Sequence, residues 1–212
     1  MKPSRLVALA ACVAALATPC VAAAAGGDPD GVYHRLRSDS AVQLDLGAAV
    51  ADGHPALHSR ITLRYLQTAG LFFAYNDDFR SELTAASRAV DAGVELRPLF
   101  LPRTSYDLQR GPAWLDLLVD SVALRVGAVF GRQPGFDLRA PGLSLGLGFA
   151  LPLTSSASGP WIDASGSLRL SHAHLSGAED VVLARDTVFA LSLGWQGFLD
   201  AGLVDAGDGL VR

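Results

Sequence analysis

The sequence is poor in cysteine, in lysine and in long apolar runs. Cys12 and Cys20 both lie among the first 25 residues, so the rest of the chain cannot form a disulfide. Beyond those residues no segment has the ~18 consecutive apolar side chains of a transmembrane helix. An exported domain of this composition must be held by its core, by lipid or by a closed hydrogen-bond network, and it could cross a membrane only as a barrel of strands.

A basic cluster is also missing. Lys2 is the only lysine, and removing Lys2 and Arg5 from the 17 basic residues leaves 15 against 21 acidic ones, a formal net charge of −6. Binding to nucleic acid relies on clustered cations that neutralise phosphates. The acidic balance therefore argues against nucleic acid as a partner.

The N-terminus has the features of a secretory signal peptide. Lys2 and Arg5 precede an Ala-rich apolar run that ends in small residues at 22–25. A signal anchor is the competing interpretation, but the glycines and turn-forming residues at 26–30 favour cleavage. We predict a signal peptide over 1–25, an N-terminal arm over 26–40, one domain over 41–199 and an irregular tail over 200–212.

The stretch 160–177, PWIDASGSLRLSHAHLSG, shows the dominant pattern of the domain. From 162 to 170 the even positions are apolar or small, and the odd positions are polar and include Asp163 and Arg169. Successive side chains of a strand point to opposite faces, so this period of two predicts a β-strand with one apolar face. Similar alternations occupy 42–50, 60–75, 90–96, 122–130, 143–151 and 188–196.

The run over 60–75 decides the number of strands. It is either one very long strand or two strands joined at 67–70, which gives a total of seven or eight. Small bacterial barrels have even strand numbers that start at eight, so we predict eight. The spacing of Trp114, Leu117, Leu118 and Ser121 predicts a short interfacial turn, and we expect almost no other helix.

Alternation alone does not separate a membrane barrel from a soluble lipocalin-like barrel, whose apolar face points inward. Here the polar face carries mid-strand charges of both signs, diluted by small residues, which suits the narrow interior of an eight-stranded barrel. The alternations over 143–151 and 162–170 match the ~9–11 residues of a tilted membrane strand. Aromatic residues near strand ends match an interfacial girdle; they are Tyr75, Phe130, Trp161, Trp195 and Phe198. We predict an all-β, antiparallel, up-and-down transmembrane β-barrel whose lipid-facing residues include Leu124, Leu145, Leu168 and Leu193.

Over 41–199 this pattern resembles the small outer-membrane β-barrel proteins of Gram-negative bacteria. The resemblance implies a location in the cell outer membrane, contact with outer-membrane lipid and insertion by the barrel assembly machinery. Those proteins usually end on a strand with a terminal aromatic residue. Here Trp195 and Phe198 are followed by the tail.

Two short motifs could suggest chemistry. Ser144 lies in a G-x-S-x-G match, but a hydrolase elbow needs a turn between strand and helix, and Ser144 lies in unbroken alternation. His172 and His174 fall on one side of the predicted strand and could hold a metal with Glu179 or Asp180. No further ligand pair is apparent, so a histidine pair at a strand end is the simpler interpretation. We predict no metal and no cofactor.

His174 and Ser176 also form an H-x-S pattern, and both occupy even positions like Leu168, whose side chain is predicted to face lipid. This pattern resembles that of the lipid A deacylases, barrel enzymes whose catalytic Ser and His face lipid. The resemblance implies His174 as base, Ser176 as nucleophile, and Glu179 or Asp186 as the acidic partner. The family has Asn after the Ser, where this chain has Gly177, so one expected oxyanion contributor is missing.

Three functions follow from the sequence. The first is an outer-membrane barrel with a structural or loop-mediated binding role and no catalysis. The second is a lipid A deacylase-like hydrolase, and the third is a soluble periplasmic lipocalin-like carrier. We expect the first.

Overall fold

The computed structural model describes residues 32–33, 39–51, 53–77, 88–131, 140–176 and 185–199. The predicted signal peptide, most of the N-terminal arm and the predicted tail lie outside these ranges. Glu179 and Asp180 also lie outside them.

Eight antiparallel strands, in chain order, close into one barrel. Each strand pairs with its neighbours in sequence, and β1 pairs with β8 from Ser40↔Leu199 to Ala51↔Val188, so the sheet has no free edge. The all-β, antiparallel, up-and-down prediction with eight strands is confirmed. The strands are β1 (Ser40–Ala51), β2 (His54–Tyr65), β3 (Ala69–Asp77), β4 (Arg88–Leu96), β5 (Ala123–Gly131), β6 (Gly142–Pro152), β7 (Gly159–Leu170) and β8 (Arg185–Leu199).

The ambiguous run over 60–75 is a tight hairpin between β2 and β3. Leu66 and Gln67 both have positive φ, 46° and 55°, and the Thr68 amide donates to the Tyr65 carbonyl at 3.0 Å. That is the geometry of a type I′ turn, which suits the twist of a two-stranded hairpin. The side chain of Gln67 donates to the backbone carbonyl of Tyr33 at 2.7 Å, which helps to hold this conformation without glycine.

The barrel has a polar interior and an apolar exterior. Side chains at the polar positions of the alternation point inward and are buried; they include Gln43, Asp91, Glu95 and Gln196. Side chains of the other parity are exposed, including the four leucines predicted to face lipid, Leu124, Leu145, Leu168 and Leu193. The predicted orientation of the two faces is confirmed.

Three helices interrupt the strands of the described chain: α1 (Phe100–Ser105), α2 (Ala113–Asp120) and α3 (His172–Ser176). Only α2 corresponds to the turn predicted near Trp114. The prediction that His172 to Ser176 extend the seventh strand is wrong, because β7 ends at Leu170. None of the helices in the described ranges is long and apolar enough to cross a membrane.

The two ends of the barrel differ in their connections. We call the end where β1 begins and β8 ends the terminal end; it carries the connections 66–68, 97–122 and 153–158. The opposite end carries 52–53, 78–87, 132–141 and 171–184. Helices α1 and α2 therefore belong to the terminal end, and α3 belongs to the opposite end.

The predicted aromatic girdle needs a correction. Trp195 is exposed on the outer face, but Trp161 is fully buried and Phe198 packs beside it at the terminal end. Both occupy the inward parity of their strands. Both lie near strand ends, as predicted, but their side chains pack in the interior at the terminal end and not in a girdle at the membrane interface.

Candidate functional site

Charged side chains fill the interior of the barrel towards its terminal end. The carboxylate of Glu95 on β4 is the shared partner of three guanidinium groups. It lies 2.5 Å from Arg64, 2.7 Å from Arg125 and 3.6 Å from Arg97. The Arg64 guanidinium also donates to the side-chain oxygen of Gln43 at 2.6 Å. Bonds of this kind across the interior tie β1, β2, β4 and β5 together.

A second cluster lies beside the first. Arg60 on β2 lies 2.8 Å from Asp45 and 2.7 Å from Asp163, and Asp163 also lies 3.4 Å from Arg125. Arg125 therefore links the two clusters. The charges of the polar face lie inside the barrel, as the sequence predicts, and the structure shows that opposite charges pair there.

A third cluster lies nearer the opposite end. Arg169 on β7 pairs with Asp91 on β4 across the interior and with Asp186 on the neighbouring β8, the latter at 3.2 Å. Asn76 donates to Asp91 at 3.4 Å. This arrangement gives Asp186 a structural role, because its carboxylate is engaged inside the barrel.

The interior is nearly neutral and is blocked towards the terminal end. Five arginines face five carboxylates across these three clusters: Arg60, Arg64, Arg97, Arg125 and Arg169 with Asp45, Asp91, Glu95, Asp163 and Asp186. Gln43, Glu95, Gln196 and Trp161 are among the largest fully buried side chains of the described chain. A continuous water-filled channel would expose them. The described interior therefore leaves no continuous channel at this level of the barrel.

A small cavity of about 40 Å³ remains in the interior next to the third cluster. Small residues of β6, β7 and β8 leave this space, among them Ser144, Ser165 and Ala190. Its charged lining is the ion-paired set of Arg60, Arg125, Arg169 and Asp91. These paired groups leave little net charge to attract an ion.

A plug closes the terminal end. Leu117 on α2 packs with Trp161, Ala150 and Tyr33 in one buried cluster. The hydroxyl of Ser121 donates to the carbonyl of Ala150 at 2.8 Å and accepts from the Ala150 amide at 2.8 Å, so it fixes the end of α2 to β6. The plug is built from the connection between β4 and β5, the connection 153–158 and residues 32–33.

Buried polar groups hold α1 and α2 together. Arg103 pairs with Asp116 and lies 2.7 Å from Asp120, and Gln109 donates to Asp120. Burial raises the pKa of Asp120, against the lowering effect of the bonds from Gln109 and Arg103. The only signal of this cluster in the sequence is the pair Asp116 and Asp120, four positions apart among apolar residues and therefore on one face of a helix.

Of the predicted catalytic set, the structure describes the side chains of His174 and Asp186. His174 is exposed on α3 at the opposite end, and only the backbone of Ser176 is described. Residues two apart on a helix are about 200° apart around its axis, so the argument that both share one strand face is wrong. Asp186 lies in the interior, and Glu179 is outside the described residues.

The metal hypothesis for His172 and His174 assumed that both side chains point to one side of a strand. Both residues lie on α3 instead, where side chains two positions apart point in different directions. Both side chains are exposed. Ser144 lies within β6, in the unbroken strand that the sequence predicted, and it lines the cavity.

No known protein family matches the chain, and no curated protein matches it. Solved structures similar to it include a designed and a natural protein. The de novo designed TMB2.3, a solution NMR structure, is 11% identical, with a TM-score of 0.39 over 79% of this chain and 97% of that chain. Ail, the attachment invasion locus protein of Yersinia pestis, crystallised with the heparin analogue sucrose octasulfate, is 13% identical, with a TM-score of 0.35 over 76% of this chain and 97% of that chain.

The polarity of the closed sheet decides the class. A lipocalin-like carrier would turn its apolar parity inward, whereas here Leu71, Leu147 and Phe189 point outward, each more than half exposed, around an ion-paired interior. Only a lipid environment makes such an exterior favourable. The chain is a transmembrane β-barrel. The lipocalin-like alternative is therefore wrong.

Proposed function

We propose that this barrel resides in the outer membrane of a Gram-negative bacterium, after export by the signal peptide over 1–25. Its role is structural, or it is carried by binding at the connections outside the bilayer. The observation that supports this proposal most directly is the ion-paired interior. A barrel whose interior is filled by side chains offers neither a transport path nor an internal active site.

The connections at the opposite end are the proposed binding region. Outer-membrane barrels have short periplasmic turns and longer extracellular loops. Three of the four connections at the opposite end, 78–87, 132–141 and 171–184, are long, and only 52–53 is short. At the terminal end 66–68 and 153–158 are shorter, and the longest connection, 97–122, folds into the plug. The plug also lies at the terminal end. We therefore infer that the opposite end faces the outside of the cell.

Epitope tags test this orientation. A tag inserted within 132–139 is expected to bind an antibody on intact cells, and a matched tag after Arg212 is expected to bind only after the outer membrane is permeabilised. The second tag follows β8, which ends at the terminal end. Antibody access to the C-terminal tag on intact cells would contradict the orientation. A folded, detergent-free monomer in the periplasmic fraction would contradict the membrane location.

Planar bilayers test the absence of a pore. The reconstituted protein is expected to show no steady ion conductance, because Arg64, Glu95 and Gln196 fill the cross-section. The plug closes the terminal end independently of these side chains, so Arg64→Ala with Glu95→Ala is also expected to show no steady conductance. A porin reconstituted in the same way is the positive control. Sustained conductance of the wild type would refute the structural role proposed for this network.

The deacylase hypothesis stays a prediction of the sequence, and lipid A mass spectrometry tests it. Cells that express the wild type, Ser176→Ala or Ser144→Ala are expected to have identical, fully acylated lipid A. Loss of an acyl chain with the wild type and Ser144→Ala, but not with Ser176→Ala, would replace the non-enzymatic proposal by the enzyme.

A further inference from the structure

The connection between β4 and β5 has the polarity of the barrel itself, with polar groups inside and apolar groups outside. On α2, Asp116 and Asp120 are buried, whereas Trp114 and Leu115 are exposed. A surface helix in water shows the opposite arrangement, with its polar face towards solvent. Helix α2 is therefore not arranged for an aqueous environment.

The segment before α2 repeats this arrangement. Arg103 turns back to the two aspartates of α2, and Gln109 is buried against Asp120. The large apolar side chains around them are exposed; they are Leu99, Leu101, Tyr106 and Leu108, with Leu101 53% and Leu108 54% exposed. An apolar patch of this extent on a folded protein indicates a site of contact with a partner or a membrane.

The patch is continuous with the lipid-facing surface. Leu96, the last residue of β4, and Leu124, the second residue of β5, both face outward and flank the connection on its two sides. Leu117 and Ser121 fix α2 to the barrel at Trp161 and Ala150. The apolar groups of α1 and α2 therefore lie where the apolar exterior of the barrel reaches its terminal end.

We propose that the connection between β4 and β5 inserts its exposed apolar side chains into the lipid leaflet at the terminal end of the barrel. Helices with one apolar face lie in the interface plane with that face buried at the boundary between headgroups and acyl chains. Trp and Tyr are enriched at that depth because their rings are both apolar and polar, and Trp114 and Tyr106 supply them here. The proposal rests on the transmembrane fold and not on the function proposed above.

Spin labels test the proposal in the full-length protein. Cys12→Ser and Cys20→Ser remove the native thiols, and a nitroxide is attached at Leu101→Cys, Leu108→Cys or Leu115→Cys. Each variant is reconstituted into phosphatidylethanolamine–phosphatidylglycerol vesicles. Relaxation of the label by oxygen, which partitions into lipid, is compared with relaxation by a water-soluble nickel chelate.

Two control positions calibrate the ratio of the oxygen effect to the nickel effect on the relaxation of the label. Arg110→Cys reports water, because position 110 carries the charged member of an exposed ion pair with Asp107, and charged heads stay on the aqueous side of an interface. Leu145→Cys reports the lipid-facing surface of β6. We expect the oxygen-to-nickel ratio at the three test positions to exceed the ratio at Arg110 several-fold and to lie below the ratio at Leu145.

Two outcomes would overturn the proposal. A ratio equal to that at Arg110 would place the patch in water. Labels protected from both reagents, with spin–spin broadening that increases with the protein-to-lipid ratio, would show that a second copy covers the patch instead. The three test positions lie on different parts of the connection, so the test survives if one variant fails to fold.

Discussion

Replacement of Gly194 by alanine should destabilise the barrel more than any other change of one methyl group discussed here. Gly194 lies on the inward parity of β8, directly opposite Asp45 on β1. A Cβ atom at this position would overlap the carboxylate of Asp45 and come within 3.0 Å of the carbonyl oxygen of Leu44. The carboxylate is held by Arg60 at 2.8 Å and by the amide of Gln43 at 2.7 Å, so it cannot move freely.

The expected loss of stability depends on whether the new methyl group stays overpacked against Asp45 or displaces its carboxylate. Overpacking without displacement costs about 1–3 kcal/mol, and loss of a hydrogen bond to a charged group costs about 1.5–3 kcal/mol. These routes compete rather than add. We therefore expect Gly194→Ala to lower the free energy of unfolding by about 2–3 kcal/mol.

Gly197→Ala is the matched control on the same strand. A Cβ at Gly197 meets nothing within 4 Å, so the added methyl should leave the stability within about 0.5 kcal/mol of the wild type. An Asp45→Ala background provides a second control. If the carboxylate causes the loss, Gly194→Ala should cost much less in that background, as a double-mutant cycle would show.

Urea unfolding of the barrel in detergent, followed by tryptophan fluorescence, measures these differences. With a urea slope of about 1–3 kcal/mol/M, the midpoint for Gly194→Ala should fall by on the order of 1 M. Equal midpoints for Gly194→Ala and Gly197→Ala would refute the tight fit between β8 and the ion-paired interior.

Three further predictions use the same structure. Glu95→Gln should lower the free energy of unfolding by about 3–5 kcal/mol, because it leaves three buried guanidinium groups without their shared carboxylate; a loss below about 1 kcal/mol under the same urea conditions would argue for a hydrated interior. Leu145→Arg should lower the free energy of unfolding by about 2–4 kcal/mol if Leu145 lies near the bilayer midplane, whereas Leu124→Arg, near the terminal end, should lower it by only about 0–1 kcal/mol. Equal losses, measured for folding into lipid vesicles, would contradict these depths in the bilayer. Burial raises the pKa of Asp120, so protonated Asp120 stabilises the plug fully below pH ~4, and this stabilisation is lost as pH rises through the pKa of the folded state. Hydrogen exchange of α2 should therefore accelerate as pH rises through that pKa in the wild type but not in Asp120→Asn.

Most of the strand order could be predicted because a strand of this barrel has two different faces. The alternation marks seven runs, and the observed strands extend them by a few residues. The sequence placed a possible β2–β3 junction at 67–70, close to the observed turn at 66–68, but no residue there marks a tight turn, because Leu66 and Gln67 adopt the positive φ usually taken by Asn and Gly. Contacts from Asp39 and Tyr33, distant in the chain, help to hold that turn.

The helices were harder to predict for a similar reason. Residues 172–176 continue the apparent alternation of β7, and only the structure shows that the strand ends before them. The polar groups of α1 and α2 looked like ordinary loop residues. Their burial depends on how the connection folds back on itself and packs against Trp161 and Ala150.

The sequence by itself determined the alternation of faces, the antiparallel barrel and the choice of the charged face as the interior. These follow from local periodicity and from the cost of exposing charges to lipid. Only the tertiary structure decided which charges pair. Arg169 and Asp91 are 78 positions apart in sequence, yet they meet across the interior. Their contact depends on the register of all the strands between them, which the pattern within any one strand does not encode.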